Sequence, residues 1–413
     1  MNSKKWIFIL ALTWMQTVLS NPTPHILTFD SLPEIGQWNS RPILLGGFST
    51  LEIDLKKSTS KTIYFRTITD RGPNGELIKK HDTWGKNLRP FLLADYSPQI
   101  VEFKLNNLEK ISDIKTIPLW ATTDKKISGL PPMTQTPDNS DNIEKPILIK
   151  DGVKTDLAAD INGFDSESLC TDSEGRTWVS EEYLPSFAVF DKNKKLIQRF
   201  YPGQDFPAIF AERKTNRGFE AMTCDQNYLY VMLQSPIPLK SAKNKLAVRI
   251  LRWDLKKMKA VDQLVYPLSD EKVDKIGDIS TDHKGHFYVI EQNGKVGEKS
   301  KQYITQFKIE SSNFISLNET PEEWDSEKLQ KYALNKKVIL DFGHTETKWI
   351  EKLEGLAVHK DKIFILSDND FGLETNEKDE TSVSAAKKPH LIWFDLPSLP
   401  KSDKKKTTKK GSK

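Results

Sequence analysis

Gly163-Phe164-Asp165-Ser166-Glu167 leads into the run Trp178-Val179-Ser180-Glu181, an acid ahead of one strand-like segment and a second polar residue after the next. The pattern returns. Gly218-Phe219-Glu220 leads to Tyr230-Val231-Met232-Leu233-Gln234, Gly277-Asp278 to Phe287-Tyr288-Val289-Ile290-Glu291, and Leu353-Glu354-Gly355 to Ile363-Phe364-Ile365-Leu366-Ser367-Asp368. A degenerate first copy runs from Gly47-Phe48-Ser49 through Ile63-Tyr64-Phe65 to Asp70. The four clear copies span 14, 14, 13 and 14 positions from first polar residue to second. An offset that recurs within a repeat marks a recurring place in space, so two columns of carboxylates and amides are predicted.

The copies start at Ser49, Glu167, Glu220, Asp278 and Glu354, at intervals of 118, 53, 58 and 76 residues. Repeats of roughly 40 to 60 residues holding several short strands are the mark of a β-propeller, in which each blade buries its faces against its neighbours. The fold class is therefore all-β. The first interval is close to two ordinary periods, which predicts a diverged blade between Leu105 and Asp160 and a count of six, with five or seven as alternatives. Each unit closes on an alternating strand such as Phe187-Ala188-Val189-Phe190-Asp191 or Leu391-Ile392-Trp393-Phe394-Asp395-Leu396, and such alternation with aromatic and β-branched residues favours strands. One helical insert is expected near 320–335. There Thr320-Pro321-Glu322-Glu323 reads as a capping box with proline at the first helical position, and Trp324 to Leu334 has helical apolar spacing.

The 413 residues are 37% hydrophobic, 10% aromatic and 29% charged, enough apolar material for one large closed domain over 21–400. The net charge is only +4, and much of it lies in the Lys-rich tail 401–413, which lacks apolar residues and is expected to be a disordered, solvated terminus. No nucleic-acid partner is inferred. Lys4 and Lys5 precede the apolar run Trp6 to Leu19, and Val18-Leu19-Ser20 offers small residues for cleavage before Asn21. Residues 1–20 thus read as a signal peptide, too short for a span and followed at once by prolines. The mature chain is expected to be periplasmic or secreted, monomeric and without a membrane span. Export permits disulfides. Cys170 and Cys224 lie three and four residues after Glu167 and Glu220, on the inner strands of adjacent blades. A bridge and two buried thiols are both open; the one-residue mismatch, which points the side chains to opposite faces of their strands, favours thiols.

Asp70-Arg71-Gly72-Pro73-Asn74, Gly129-Leu130-Pro131-Pro132, Asp165-Ser166-Glu167-Ser168-Leu169, Trp178 to Pro185, Lys352-Leu353-Glu354-Gly355-Leu356-Ala357 and Asp368-Asn369-Asp370-Phe371-Gly372 stand in order along the chain. Together they resemble the phytase-like, "esterase-like activity of phytase" family of exported bacterial proteins. The resemblance extends from about Gly46 to Leu396 and implies a propeller rich in acids, related in outline to calcium-dependent alkaline phytases. This chain departs from a complete acidic ring at Ser49, Gln234 and Asp278.

Equivalent positions of a propeller converge on its axis, so the first column is Glu167, Glu220, Asp278 and Glu354 and the second is Asp70, Glu181, Glu291 and Asp368, with Gln234 filling one place. So many carboxylates cannot all stay ionised unpaired. Calcium, which accepts six to eight carboxylate, amide and water oxygens, is the natural compensator, with Asp70, Glu167, Glu181, Glu220, Asp278, Glu291, Glu354 and Asp368 as candidate ligands. Glu181, Glu182, Asp368 and Asp370, at a channel mouth, are the candidate catalytic group. Arg71, Arg217 and Lys348 are candidates to bind a small anionic substrate. The expected activity is calcium-dependent hydrolysis of phosphate esters. The competing reading is a non-catalytic propeller that binds a ligand or protein at its mouth, with the acids fixing blade register; a calcium-using sugar or lactone enzyme would also need a base that no residue here identifies. The chain has no HExxH pair, GxSxG elbow, Gly-rich phosphate loop or CxxC, which argues against zinc-peptidase and serine-esterase chemistry.

Overall fold

The repeats fold as antiparallel meanders of four strands each, in a computed structural model that describes residues 23–132, 144–150, 152–375, 381–384 and 387–396. The signal peptide and the Lys-rich tail lie outside the described residues. The first blade is Glu52–Ile53, Thr62–Ile68, Gln99–Asn106 and Lys110–Pro118. The second is Ser166–Thr171, Thr177–Glu181, Ser186–Phe190 and Leu196–Phe200. The third is Phe219–Cys224, Tyr228–Leu233, Ala247–Asp254 and Lys259–Pro267, and the fourth Lys275–Thr281, Phe287–Gln292, Gln302–Phe307 and Lys336–Asp341. The fifth combines Leu353–His359, Lys362–Ser367 and His390–Asp395 with His25–Thr28 from the start of the chain. His25 to Thr28 pair antiparallel with Trp393 to His390, so the first described strand locks onto the last blade.

Innermost strands touch in chain order from the second blade to the fifth, the fifth returns to the first, and Thr62–Ile68 of the first blade meets the inner strand of the second. Among the described residues five four-stranded sheets are meanders, and the segment expected to supply a sixth contributes to a four-stranded sheet of different topology. Lys110–Pro118 is the outer strand of the first blade, while Lys145–Lys150 and Val153–Asp156 join Ile78–His81 and Gly85–Pro90 in a separate sheet. That sheet contains a parallel pairing of Lys145–Lys150 with Gly85–Pro90, which a meander cannot produce. Two insertions, one within the first blade and one after it, supply that sheet and lengthen the first interval.

Aromatic side chains fill the space between blades. Trp178, Phe187 and Phe200 of the second blade pack with Phe219 and Trp253 of the third, with Phe187 and Trp253 edge to face at 5.1 Å. Phe65 and Phe103 meet Phe364 where the fifth blade closes on the first. The helical insert is shorter than its sequence suggests: a 3-10 turn at Pro321–Glu323 precedes the α-helix Ser326–Tyr332. Its cap is Asp325, which accepts from the Lys328 amide at 2.7 Å, and Thr320 makes no side-chain cap. Glu322 instead turns inward to a fully buried ion pair with Arg249 of the third blade, whose guanidinium also donates to Gln263 Oε1 at 2.9 Å. A charge so deeply buried is tolerable only when its partner and neighbouring acceptors are all in place.

Cys170 and Cys224 are bridged, which corrects the preference for free thiols. Adjacent blades pack face to face, so one blade's upper face meets the next blade's lower face. The one-residue mismatch between the cysteines is the parity that such a contact needs.

Candidate functional site

The inner strands of three blades carry the same irregularity. Ser166 pairs with Glu181 and Ser168 with Ser180, Phe219 with Leu233 and Ala221 with Met232, Leu353 with Ser367 and Gly355 with Leu366. One extra residue is left between the pairs in each case, and it is Glu167, Glu220 or Glu354. A β-bulge frees its extra residue from the ladder and re-aims its side chain. These three glutamates line one end of the central channel, in a cavity of about 970 Å³. Ser49 holds the equivalent place in the first blade, after the Phe48–Thr69 bridge.

In the fourth blade the place falls to Gly277, because Ile276 pairs with Glu291 and Ile279 with Val289. A Cβ there would lie 2.3 Å from the Leu353 carbonyl oxygen, so the neighbouring strand approaches too closely for a side chain. Asp278 therefore sits one layer deeper than the other acids and does not line the cavity. Its carboxylate accepts from Thr50 Oγ1 at 3.0 Å, Leu51 N at 3.3 Å, Ser168 Oγ at 3.3 Å, Ile279 N at 2.8 Å and Leu356 N at 2.8 Å. Those donors come from four blades, and each would cost roughly 1–3 kcal/mol if left buried and unpaired. The geometry makes Asp278 an axial bolt.

The second column also shifts. Asp70, Glu182, Gln234 and Asp368 share one backbone bond, their amides donating at 2.8–2.9 Å to the carbonyls of Gly47, Asp165, Gly218 and Lys352. Gln292 stands at the corresponding place in the fourth blade, where its amide group clamps both Leu353 N and Leu353 O. The hairpins of the second and fourth blades are one residue longer than those of the third and fifth, so the fixed spacing lands there on Glu181 and Glu291. One step along a strand reverses the side chain. Glu181 points into its blade, to Arg199, Ser186 Oγ and Leu184 N, and Glu291 to Lys336, Tyr266 and Ser269 N. Neither lines the cavity, nor does Lys348, which pairs with Glu298 outside it.

The cavity thus gathers Asp70, Asp165, Glu167, Glu182, Glu220, Glu354, Asp368 and Asp370, with Arg71 and Arg217 from the expected substrate group. Their charges are compensated unevenly. On the side of the fourth and fifth blades, Lys275 lies 3.5 Å from Glu354 and Lys352 lies 3.2 Å from Asp368, while Asp370 is held by Lys352 and by Lys387 at 2.9 Å. Burial opposes ionisation of Asp370, but the two lysines outweigh it and hold its carboxyl well below the usual range. On the other side Arg71 alone serves Asp165, at 3.2 Å, and shares its guanidinium with Glu144 of the inserted sheet. Glu167 has no hydrogen-bond or ion-pair partner among the described residues, and Glu182 Oε1 is buried without one.

Burial, followed by the charges of Asp165, Glu220, Glu182 and Asp70, pushes the Glu167 carboxyl far above its ordinary value. Burial with Glu220 and Asp165 does the same to Glu182 against Arg71 and Arg217, and burial with Asp368 and Asp165 does it to Asp70. Glu220 rises to about 8 through burial and Glu354, partly offset by Lys275, and it accepts from Gln234 Nε2 at 2.5 Å. Asp368 rises to about 7 through burial, held back by Lys352. A buried acidic cluster without enough cationic partners must take up protons or a cation. Oxygens of Asp165, Glu167 and Glu182 all lie within 4.8 Å of one another, a spread that ligands 2.3–2.6 Å from a single calcium can span. The donor set is all hard oxygen, and one oxygen of Glu182, Oε1, is buried without a protein partner.

Several of these groups escaped the sequence reading. Asp165 was visible as part of a motif, and its spacing of two from Glu167 on a strand is the signal that both share a face. Lys275 precedes its acid Glu354 by a blade and Lys352 precedes Asp368 by 16 residues, and Glu144, its partner Arg89 and Lys387 come from insertions with no repeat to mark them.

The chain belongs to the Phytase-like family: the family model, described as "Esterase-like activity of phytase", matches residues 43–371. No curated protein matches the sequence. Among solved structures it is similar to the Pan2 WD40 domain of Neurospora crassa, at 8% identity and TM-score 0.34 over 86% of this chain and 90% of that one. It is also similar to the PQQ-bound aldose sugar dehydrogenase of Streptomyces coelicolor (8%, TM-score 0.34, 91% and 99%) and to a streptogramin B lyase (11%, TM-score 0.34, 91% and 98%).

Proposed function

We propose that this protein is an exported, calcium-dependent hydrolase of phosphate esters that works as a monomer at the acidic end of its channel. The observation that carries the reading is the trio of Asp165, Glu167 and Glu182, beside Glu220 and Asp70, which among the described residues Arg71 alone offsets by a direct ion pair. Family membership supports hydrolytic chemistry, the disulfide fits an oxidising compartment, and ring closure by the chain's own first strand needs no second copy. Among the described residues no helix is long and apolar enough to cross a membrane.

Asp165, Glu167 and Glu182 would hold the cation. Bound there, calcium would neutralise the acids, attract phosphate oxygens and make water a better nucleophile. The chain's own groups do the rest. Arg71 and Arg217, which line the same cavity, would take phosphate oxygens, with the Arg fork suited to two at once. Glu220 at about 8 and Asp368 at about 7 are the cavity carboxyls set to exchange protons near neutrality, which suits general acid and base roles.

A panel of phosphomonoesters and phosphodiesters assayed with millimolar calcium and with chelator tests the reading. Phosphate release from at least one ester with calcium, abolished by chelation, is the expected result. Turnover that ignores the chelator, or none of any ester with calcium, contradicts it.

A further inference from the structure

Trp349 is the most exposed aromatic side chain at the cavity, at 64% of its surface. The other large hydrophobic residues exposed among the described residues are aliphatic and scattered over the surface. The indole is not loose. It ends the 3-10 turn Glu346–Trp349, between the outer strand of the fourth blade and the inner strand of the fifth. The turn is fixed on either side by the Lys348–Glu298 ion pair and by Gln302 Nε2 donating to the Ile350 carbonyl at 3.0 Å. Gly297 backs the ring: a Cβ there would stand 2.6 and 2.7 Å from Cζ3 and Cη2 of Trp349, and the glycine has φ +65°. Both facts require glycine, and together they bring backbone against the indole.

The ring also stands in an unusual place. Val296, Trp349 and Ile350 form an apolar corner in a wall that is otherwise dominated by charged and amide side chains. In chain order around the five blades the corner belongs to the fourth and fifth, whereas Asp165, Glu167 and Glu182 belong to the second, across the axis. Phe371 and Leu373 also line the cavity but are buried, so the exposed apolar face that a ligand with its anion by the trio can meet is the indole of Trp349. The cavity, at about 970 Å³, is at the upper end of the range that small-molecule sites occupy.

We propose that Trp349 is a stacking platform that selects phosphate esters carrying an aromatic ring, the ring resting on the indole while the phosphate faces the acidic trio and its arginines. The inference rests on the hydrolase reading for the position of the phosphate. An aryl group and a nucleobase share the required chemistry, a flat π face that stacks offset or edge-on with an indole.

Binding is measured by equilibrium dialysis in millimolar calcium, independently of turnover, with phenyl phosphate, adenosine monophosphate and glycerol phosphate as probes. Trp349→Ala is expected to weaken one or both ring-bearing esters about tenfold, and which of them responds identifies the ring. Glycerol phosphate binding is expected to be unchanged, and Trp349→Phe to keep ring binding within about threefold of the original, since a smaller ring still stacks. Equal weakening of all three esters, unchanged binding of both ring-bearing ones, or no binding of either to the original protein overturns the inference. Binding with this pattern but without hydrolysis overturns only the hydrolase reading.

Discussion

Glu182→Gln is expected to lower calcium-dependent ester hydrolysis about a hundredfold and to abolish the stabilisation that calcium gives. The substitution keeps shape and one oxygen but removes the charge of a buried side chain whose Oε1 has no protein partner. A preorganised electrostatic group of this kind typically accounts for two to three orders of magnitude in rate. In chelator near neutral pH the same variant is expected to melt higher than the original protein, because folding no longer has to desolvate the Glu182 carboxyl beside Glu220 and Asp165, which forces a proton onto it. Glu181→Gln, one residue away, should behave in the opposite sense: calcium affinity stays and the melting temperature falls, since Arg199 loses its buried partner. If the two variants behave alike in kinetics and melting, the assignment of Glu182 rather than Glu181 to the cavity is wrong.

Removal of the disulfide by joint Cys170→Ser and Cys224→Ser substitution is expected to cost about 4 kcal/mol, from the loop-closure entropy of a bridge that joins residues 54 apart. For a chain of this size that corresponds to a fall of roughly 5 °C in melting temperature. The bridge also has a local consequence. Cys170 and Glu167 share the strand that begins at Ser166, and Cys224 and Glu220 share the strand that begins at Phe219. The disulfide thus pins together the two strands that present these glutamates, and calcium affinity should fall with stability. Melting curves and calcium titrations of the oxidised protein, the reduced protein and the double variant check both effects; unchanged melting on reduction would falsify the clamp.

Much of the ring was legible because a propeller repeats its chemistry. Phe48, Phe164, Phe219 and the glycines beside them announce the same inner-strand entry in several blades, and the acids that follow mark the channel. The topology of the first interval was not legible, since two inserted hairpins and one further meander occupy similar lengths of sequence. The columns were half legible. A fixed offset assumes a fixed hairpin, and one added residue in the turns after Thr171 and Thr281 moved the cavity positions from Glu181 and Glu291 to Glu182 and Gln292. The single-residue mismatch of the cysteines was seen and given the wrong consequence, because parity along a strand was considered without the opposing faces of packed blades. Compensation was invisible altogether: whether an acid is neutralised depends on lysines such as Lys275 and Lys352, which arrive from other strands and turns.

Melting temperature against pH, in chelator and in millimolar calcium, tests the central claim that the channel acids form a cation site. Glu220 and Asp368 hold their protons to about 8 and about 7, and burial raises Glu167, Glu182 and Asp70 further. Between the ordinary carboxyl range and these values the folded state binds more protons than the unfolded one. Stability in chelator must therefore fall as pH rises from about 5 to about 8. Calcium replaces those protons and binds the native state alone, so its effect should be small at pH 5 and reach several degrees at pH 8. Identical melting in calcium and in chelator at pH 8 would contradict the account.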